Sequence, residues 1–305
     1  MTTNPLILFL RLSRPWYLLG GVLFYLLGVG MARYLGTELE WGVVLHGQLW
    51  VSAMQLCVHY LNEYFDHAQD AGHASRTPFS GGSGALGQGK DQLRPQVALV
   101  AAGTTLALLA AATNGLARAG VLSTPALIIM ALIFFGSFFY SVPPLRLAVS
   151  GYGELTASIV LAALVPALGF VLQSGGMHRL LALSTFPLVA LTLASMLSLE
   201  FADYAQDVRT QKRTLFVRIG WEQGLRLHHA MVMAGYALMA GALAAGLPAA
   251  IALPPLVSLP LAALQVWQLQ RIAGGHKPNW LAVTFNGLSF TFLAAYLLAQ
   301  AFWTR

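Results

Sequence analysis

The sequence predicts an all-α, multi-pass membrane protein. Three observations carry that reading. Only 9% of the 305 residues are charged, against roughly a quarter in an average soluble domain. Hydrophobic residues make up 57% of the chain. Apolar windows near the ~20 residues needed for one helical bilayer crossing recur from end to end.

Bounded by Pro, Gly and charge, these windows predict nine helices: 15–34, 41–65, 95–115, 123–142, 153–175, 180–203, 225–247, 249–270 and 281–303. The first, within "RLSRPWYLLGGVLFYLLGVGMARYLG", reads as a crossing. A cleaved signal needs a basic start, a short apolar core and a small-residue cleavage site, and these do not stand together. The second and sixth windows close on acids. The seventh and eighth meet at Leu247–Pro248, in a stretch almost free of charge. The whole chain, 1–305, reads as one transmembrane domain with halves at about 1–150 and 151–305.

Charge supports the count. With the N-terminus cytoplasmic, all of the 17 Lys and Arg except Arg33, Arg118, Arg179 and Arg305 fall on the inner side. That is the bias the positive-inside rule expects for nine crossings. It also places the chain in a cell (inner) membrane with its polar loops cytoplasmic. The acids follow the same side: of 11 Asp and Glu, only Glu38 and Glu40 lie outside. A topology signal alone would gather only the positive charges. The net charge of +6 is dispersed among apolar spans and does not form a nucleic-acid surface. A lone Cys57 excludes a disulfide within the chain and a Cys-based metal cluster.

Two acidic stretches repeat. "EYFDHAQD" (Glu63–Asp70) and "EFADYAQD" (Glu200–Asp207) share Glu, Asp, Ala, Gln and Asp in register. "RTPF" (Arg76–Phe79) then matches "RTLF" (Arg213–Phe216) without a gap. An even number of crossings separates the copies, so both face one side: a parallel internal repeat.

Asn62, Asp66 and Asp70 are spaced i, i+4, i+8, and Asp203 and Asp207 repeat the i, i+4 pair. Such spacing puts each set on one helix face. Brought together, five oxygen ligands form a hard-cation site, because carboxylates so close repel unless a cation sits between them. Mg²⁺ suits the set, since it takes few carboxylates and shares its other positions with water and phosphate. Arg76 follows the first cluster; Arg209, Lys212 and Arg213 follow the second. Metal plus cations are the parts that hold a diphosphate. At a membrane edge beneath apolar helices, that diphosphate belongs to a lipid, and its chemistry is loss of pyrophosphate to leave an allylic cation.

These residues resemble the UbiA family of intramembrane aromatic prenyltransferases. "NEYFDHAQD" (Asn62–Asp70) is similar to the family's NDxxDxxxD motif, with Glu63 at the second position. "DYAQD" (Asp203–Asp207) and "KRTLFVRIG" (Lys212–Gly220) resemble the second motif and its tail in the menaquinone branch. "RTPFSGGSG" (Arg76–Gly84), "YSVPPLR" (Tyr140–Arg146) and "GYGEL" (Gly151–Leu155) add to the likeness. Members of that branch often carry Asn just before the second motif; this chain has Leu199 and Glu200. The resemblance implies nine helices, Mg²⁺, a polyprenyl diphosphate donor and an aromatic acceptor. It implies that Asn62, Asp66, Asp70, Asp203 and Asp207 hold Mg²⁺–diphosphate, the four Asp being catalytic. Arg76, Lys212 and Arg213 would contact phosphate, and Tyr140 and Arg146 would lie near the acceptor. 1,4-Dihydroxy-2-naphthoate is the leading acceptor, with hydroxybenzoate, homogentisate or a tetrapyrrole as rivals.

Other signals are weaker. "GALGQGK" (Gly84–Lys90) fits GxxxxGK, but Asp91 follows and no strand precedes it, so it reads as a loop between helices. Gly81, Gly82 and Ser83 offer backbone N–H groups to phosphate. His59 reads as a packing histidine, and His228 and His229 as interfacial. Trp50 is grouped with Trp16, Trp41, Trp221, Trp280 and Trp303 as an interfacial anchor. Duplicated helices also suit a transporter. Transport sites lie near mid-bilayer, however, and here the inner acids gather at one edge, with Glu154 alone standing apart. A lipid-diphosphate-binding homologue without turnover is the third reading.

Overall fold

The computed structural model describes residues 4–70, 72, 75–89 and 91–305. Among these, every regular element is helical. The extended contacts are two isolated bridges, Thr77 with Ser80 and Leu86 with Leu93. Eight helical stretches are long and apolar enough to cross a membrane. The protein is an integral membrane protein.

The chain opens with α1 (Pro5–Ser13) and α2 (Pro15–Tyr34), each with proline in its first turn, where the missing N–H is not needed. Arg14 joins them in a left-handed conformation, φ 47°. α3 (Trp41–Asp66) has 26 residues and is about 39 Å long at 1.5 Å per residue. Its polar side chains keep it outside the eight apolar stretches. α4 (Gln96–Arg118) and α5 (Thr124–Ser141) follow. α6 (Gly153–Ile159) and α7 (Val165–Ser174) are joined by a π turn over Val160–Leu164. Pro166 accounts for it: with no N–H to return to the preceding turn, the helix widens instead of closing its usual bond.

α8 (Arg179–Arg209) runs past 203 to carry both Asp203 and Asp207 on one continuous helix. It ends in a Schellman turn. Gln211, at φ 57°, donates its N–H to Val208, and Lys212 N–H reaches the Asp207 carbonyl at 3.0 Å. α9 (Leu215–Ile219) is a single extra turn capped by Thr214. α10 (Trp221–Ala244), α11 (Ala249–Ala252), α12 (Leu259–Ala273) and α13 (Trp280–Trp303) complete the bundle. A 3₁₀ stretch at Pro254–Ser258 separates α11 from α12, because consecutive prolines cannot feed the α ladder.

α13 packs against both α2 and α8; α2 also packs on α7, α8 on α10, and α3 on α4. The α2–α7 crossing is made by glycine. A Cβ at Gly28 would lie 1.9 Å from the Pro166 carbonyl oxygen, and one at Gly169 would lie 2.5 Å from that of Tyr25. Small residues let helices touch where lipid offers no hydrophobic drive between them. Polar bonds fasten α8, α12 and α13. Ser195 donates to the Gly287 carbonyl (2.5 Å), Gln265 to the Ser198 hydroxyl (3.1 Å), and Asn286 to Gln265 Oε1 (3.0 Å).

Two expectations about single side chains are corrected. Trp50 is 2% exposed and donates to Thr113 on α4, so it packs inside rather than anchoring an interface. His228 is fully buried beside the Phe201 ring, because the α10 face it occupies turns inward onto α8.

Candidate active site

One cavity of about 300 Å³ enters the bundle between α2, α3, α5, α6 and α8. Its mouth is polar: Asn62, Asp66, Asp70, Asp203, Asp207 and Lys212 all line it. Its depth is mostly apolar, with Gly21, Val51, Met54, Ile133, Val160, Leu161 and Val165 on the wall beside the polar Gln55 and Thr156. The π turn thus contributes directly to the apolar part.

The two acidic stretches meet here. Gln206 Nε2 donates to the Gln69 carbonyl at 2.8 Å, joining equivalent positions of the two motifs. Asn62 donates to Asp66 Oδ2 at 3.3 Å. Asp70 lies just beyond α3, but its N–H bonds the Asp66 carbonyl at 2.9 Å, which extends the helical stack by one turn. Lys212 Nζ sits 3.2 Å from Asp66 Oδ2 and 3.0 Å from Asp70 Oδ1. The Schellman turn of α8 aims it there. Burial alone would lower its pKa; the carboxylates of Asp66, Asp70 and Asp207 outweigh burial and hold it above the ordinary lysine value. For Asp70 burial dominates and raises its pKa, with Lys212 opposing.

A glycine-bearing loop closes the mouth. Phe79, Ser80, Gly81 and Gly82 line the cavity, and Gly81 N–H donates to Asp203 Oδ2 at 3.2 Å. Gly82 has φ 75°, and a Cβ on it would lie 2.5 Å from Asp70 Oδ2, so only glycine fits. Tyr17 donates its hydroxyl to the Phe79 carbonyl. Glu63 holds the loop's far side: it accepts from Ser83 N–H at 2.7 Å and Ser83 Oγ at 2.6 Å, and pairs with Arg14.

Sequence comparison gives this geometry its setting. A model of the UbiA prenyltransferase family matches residues 21–290. The chain belongs to this family. It is accordingly a prenyltransferase enzyme. Solved structures share the fold. A UbiA homologue from Archaeoglobus fulgidus bound to GPP and Mg²⁺ is 18% identical, with a TM-score of 0.67, covering 98% of this chain and 100% of that one. An apo UbiA homologue from Aeropyrum pernix K1 is 18% identical, with a TM-score of 0.58, covering 93% of this chain and 96% of its own. A structure described for digeranylgeranylglyceryl phosphate synthase in membranes is 16% identical, with a TM-score of 0.57 and 98% of each chain covered. No curated protein sequence matches.

Within this UbiA-family chain, the sequence-derived residues separate into groups. Asn62, the four Asp, Lys212 and Tyr140 share the cavity. Arg146 lies at its acidic end, 3.6 Å from Asp66 Oδ1, rather than in the apolar part. Arg76 turns back onto its own loop, donating to the carbonyls of Asp70 (2.6 Å) and Gly81 (2.8 Å). Arg213 is exposed outside the wall. Gly81 and Ser83 N–H groups are directed at Asp203 and Glu63. Lys90, the end of the GxxxxGK match, lies outside the described residues. His59 does line the cavity and bonds the Ser13 carbonyl at 3.1 Å.

Glu154 is corrected. It does not stand apart: α6 starts beside α8, so Glu154 and Glu200 both face the cavity. Arg14, Tyr17 and Gln55 were also missed. They are single polar residues at the ends or middle of apolar helices, with no motif around them; Gln55, mid-helix among apolar neighbours, was the one legible signal.

The donor set fits a hard divalent cation. Four carboxylates and an amide converge on one cavity, and the Lys212 ammonium shows where positive charge is drawn. Among the described residues no three His, Cys, Asp or Glu side chains yet form a closed metal cage.

Proposed function

We propose that this chain transfers a polyprenyl group from a polyprenyl diphosphate to an aromatic acceptor, with Mg²⁺ as cofactor. The observation that carries the reading is the cavity itself: two acidic motifs meet at a polar mouth that continues into an apolar wall. A chain-like lipid with a charged head fits that polarity. The Archaeoglobus relative with GPP and Mg²⁺ supports the same assignment.

Asn62, Asp66, Asp70, Asp203 and Asp207 would hold the metal–diphosphate headgroup. Bound there, Mg²⁺ supplies positive charge to the departing diphosphate. Lys212 adds a fixed ammonium at the same end, and Arg146 a guanidinium. Arg76 and Arg213 become phosphate ligands on rotation of their side chains. The apolar wall from Gly21 to Val165 holds the prenyl tail. The prenyl C1–O bond breaks and diphosphate departs, an electron-rich ring carbon attacks C1, and the ring regains aromaticity by releasing a proton to water, or CO₂ where the attacked carbon bears the carboxylate. Tyr140 stands between headgroup and ring. We take 1,4-dihydroxy-2-naphthoate as the leading acceptor, which places the enzyme in menaquinone synthesis.

We further read α3 as a ninth crossing, since its 26 residues outspan the ~30 Å bilayer core. The Gln69–Gln206 contact supports a single domain of two parallel halves. The Lys and Arg distribution supports a cytoplasmic mouth in the cell (inner) membrane.

The test is incubation of purified protein with a radiolabelled prenyl diphosphate and an acceptor panel, with and without Mg²⁺. The reading expects prenylated product only with the metal. Uptake by vesicles with no product would instead indicate a transporter, and binding without turnover an inactive homologue.

A further inference from the structure

Resting on the transferase reading, we propose that Glu154 and Glu200 form the acceptor subsite and bind the hydroxyl hydrogens of a phenolic ring. Both side chains line the cavity, on α6 and α8. Glu154 is only 5% exposed. Its Oε1 accepts the Leu215 N–H of α9 at 3.0 Å. Its Oε2 is buried with no partner, and Glu200 Oε2 is in the same condition. Neither carboxylate forms an ion pair among the described residues.

A buried carboxylate oxygen without a donor is costly, and a ligand O–H removes that cost. Both oxygens are closed off from the open cavity as the side chains stand, and rotation of each carboxylate at the cavity lining presents them to a ligand with hydrogen-bond donors. A second divalent cation fits less well. Glu154 has already committed one oxygen to a neutral donor, and octahedral Mg²⁺ needs a fuller oxygen set.

Position makes the ligand an acceptor. Glu200 lies one helical turn before Asp203 on the same face of α8, on the apolar side of the diphosphate acids. One turn is about 5.4 Å, so a ring held at Glu200 stands beside the prenyl carbon that leaves the diphosphate. Tyr140 lines the same wall. The subsite thus selects rings by their hydroxyl groups.

Glu154→Gln and Glu200→Gln test this. Glutamine keeps the Oε1 acceptor, which in Glu154 serves the Leu215 N–H, and replaces the free oxygen by a donor. With geranyl diphosphate and Mg²⁺, KM for 1,4-dihydroxy-2-naphthoate should rise at least tenfold in each variant, while donor KM changes less than twofold. Binding of 1,4-dihydroxynaphthalene and its dimethyl ether, measured by calorimetry, adds a readout independent of turnover. Wild type should favour the dihydroxy compound at least tenfold, and the variants should lose that preference. Unchanged acceptor KM and unchanged preference would overturn the proposal. So would a rise in donor KM equal to that in acceptor KM, which would mean that the glutamates act through the Lys212 loop. If wild type yields no product with any acceptor, the transferase reading fails by itself, and the binding preference still decides the subsite.

Discussion

Replacing Lys212 by Met removes the ammonium that lies 3.0 Å from Asp70 and 3.2 Å from Asp66. The three side chains are 11%, 14% and 8% exposed, so solvent screens them little. At an effective dielectric of about 20, each contact amounts to roughly 5 kcal/mol of Coulomb attraction. Desolvation of the ions offsets most of that, and removing one partner of such a buried group costs about 3–5 kcal/mol net. Methionine keeps the apolar stem, so packing changes little. Equilibrium unfolding in mixed micelles without divalent metal should therefore show Lys212→Met less stable than wild type by about 3 kcal/mol. Adding Mg²⁺ should recover much of the difference, because the freed carboxylates then gain a cation that binds the folded state alone. A variant as stable as wild type, with no gain from Mg²⁺, would refute the idea that these acids need a cation between them.

Other variants probe the scaffold. Arg14→Ala leaves Glu63 buried with only Ser83 to serve it; stability should fall by about 3–5 kcal/mol in the same unfolding assay, and Arg14→Met with Glu63→Met should recover most of the loss. Gly28→Ala drives a methyl into the Pro166 carbonyl and should cost at least about 1–3 kcal/mol. Gln211→Gly relieves a left-handed residue at φ 57° and should stabilise by up to about 1 kcal/mol, since glycine adopts that region freely.

Helices and acids were legible in the sequence for physical reasons. A bilayer demands long apolar runs, and charge among them stands out, so the spans and the repeated Asp pairs declare themselves. Four features were not legible. α9 and the Schellman turn depend on Gln211 adopting a conformation that sequence alone would give to glycine. The π turn lies inside a continuous apolar window, where the hydrophobic pattern does not register the N–H that Pro166 lacks. Glu154 seemed isolated because α6 lies far from α8 in sequence, and only the packing of α6 on α8 brings it beside Glu200. Arg76 shows another limit of spacing: its place after the acids points to phosphate, and only the structure shows its guanidinium holding the carbonyls of Asp70 and Gly81 in its own loop.

The most direct test is Mg²⁺-dependent binding of geranyl diphosphate to wild type, Asp66→Ala, Asp203→Ala and the double variant. If both motifs build one site, each single variant loses the metal-dependent affinity and the double variant is no worse than either. Independent, additive losses, or full affinity in one single variant, would contradict a shared site.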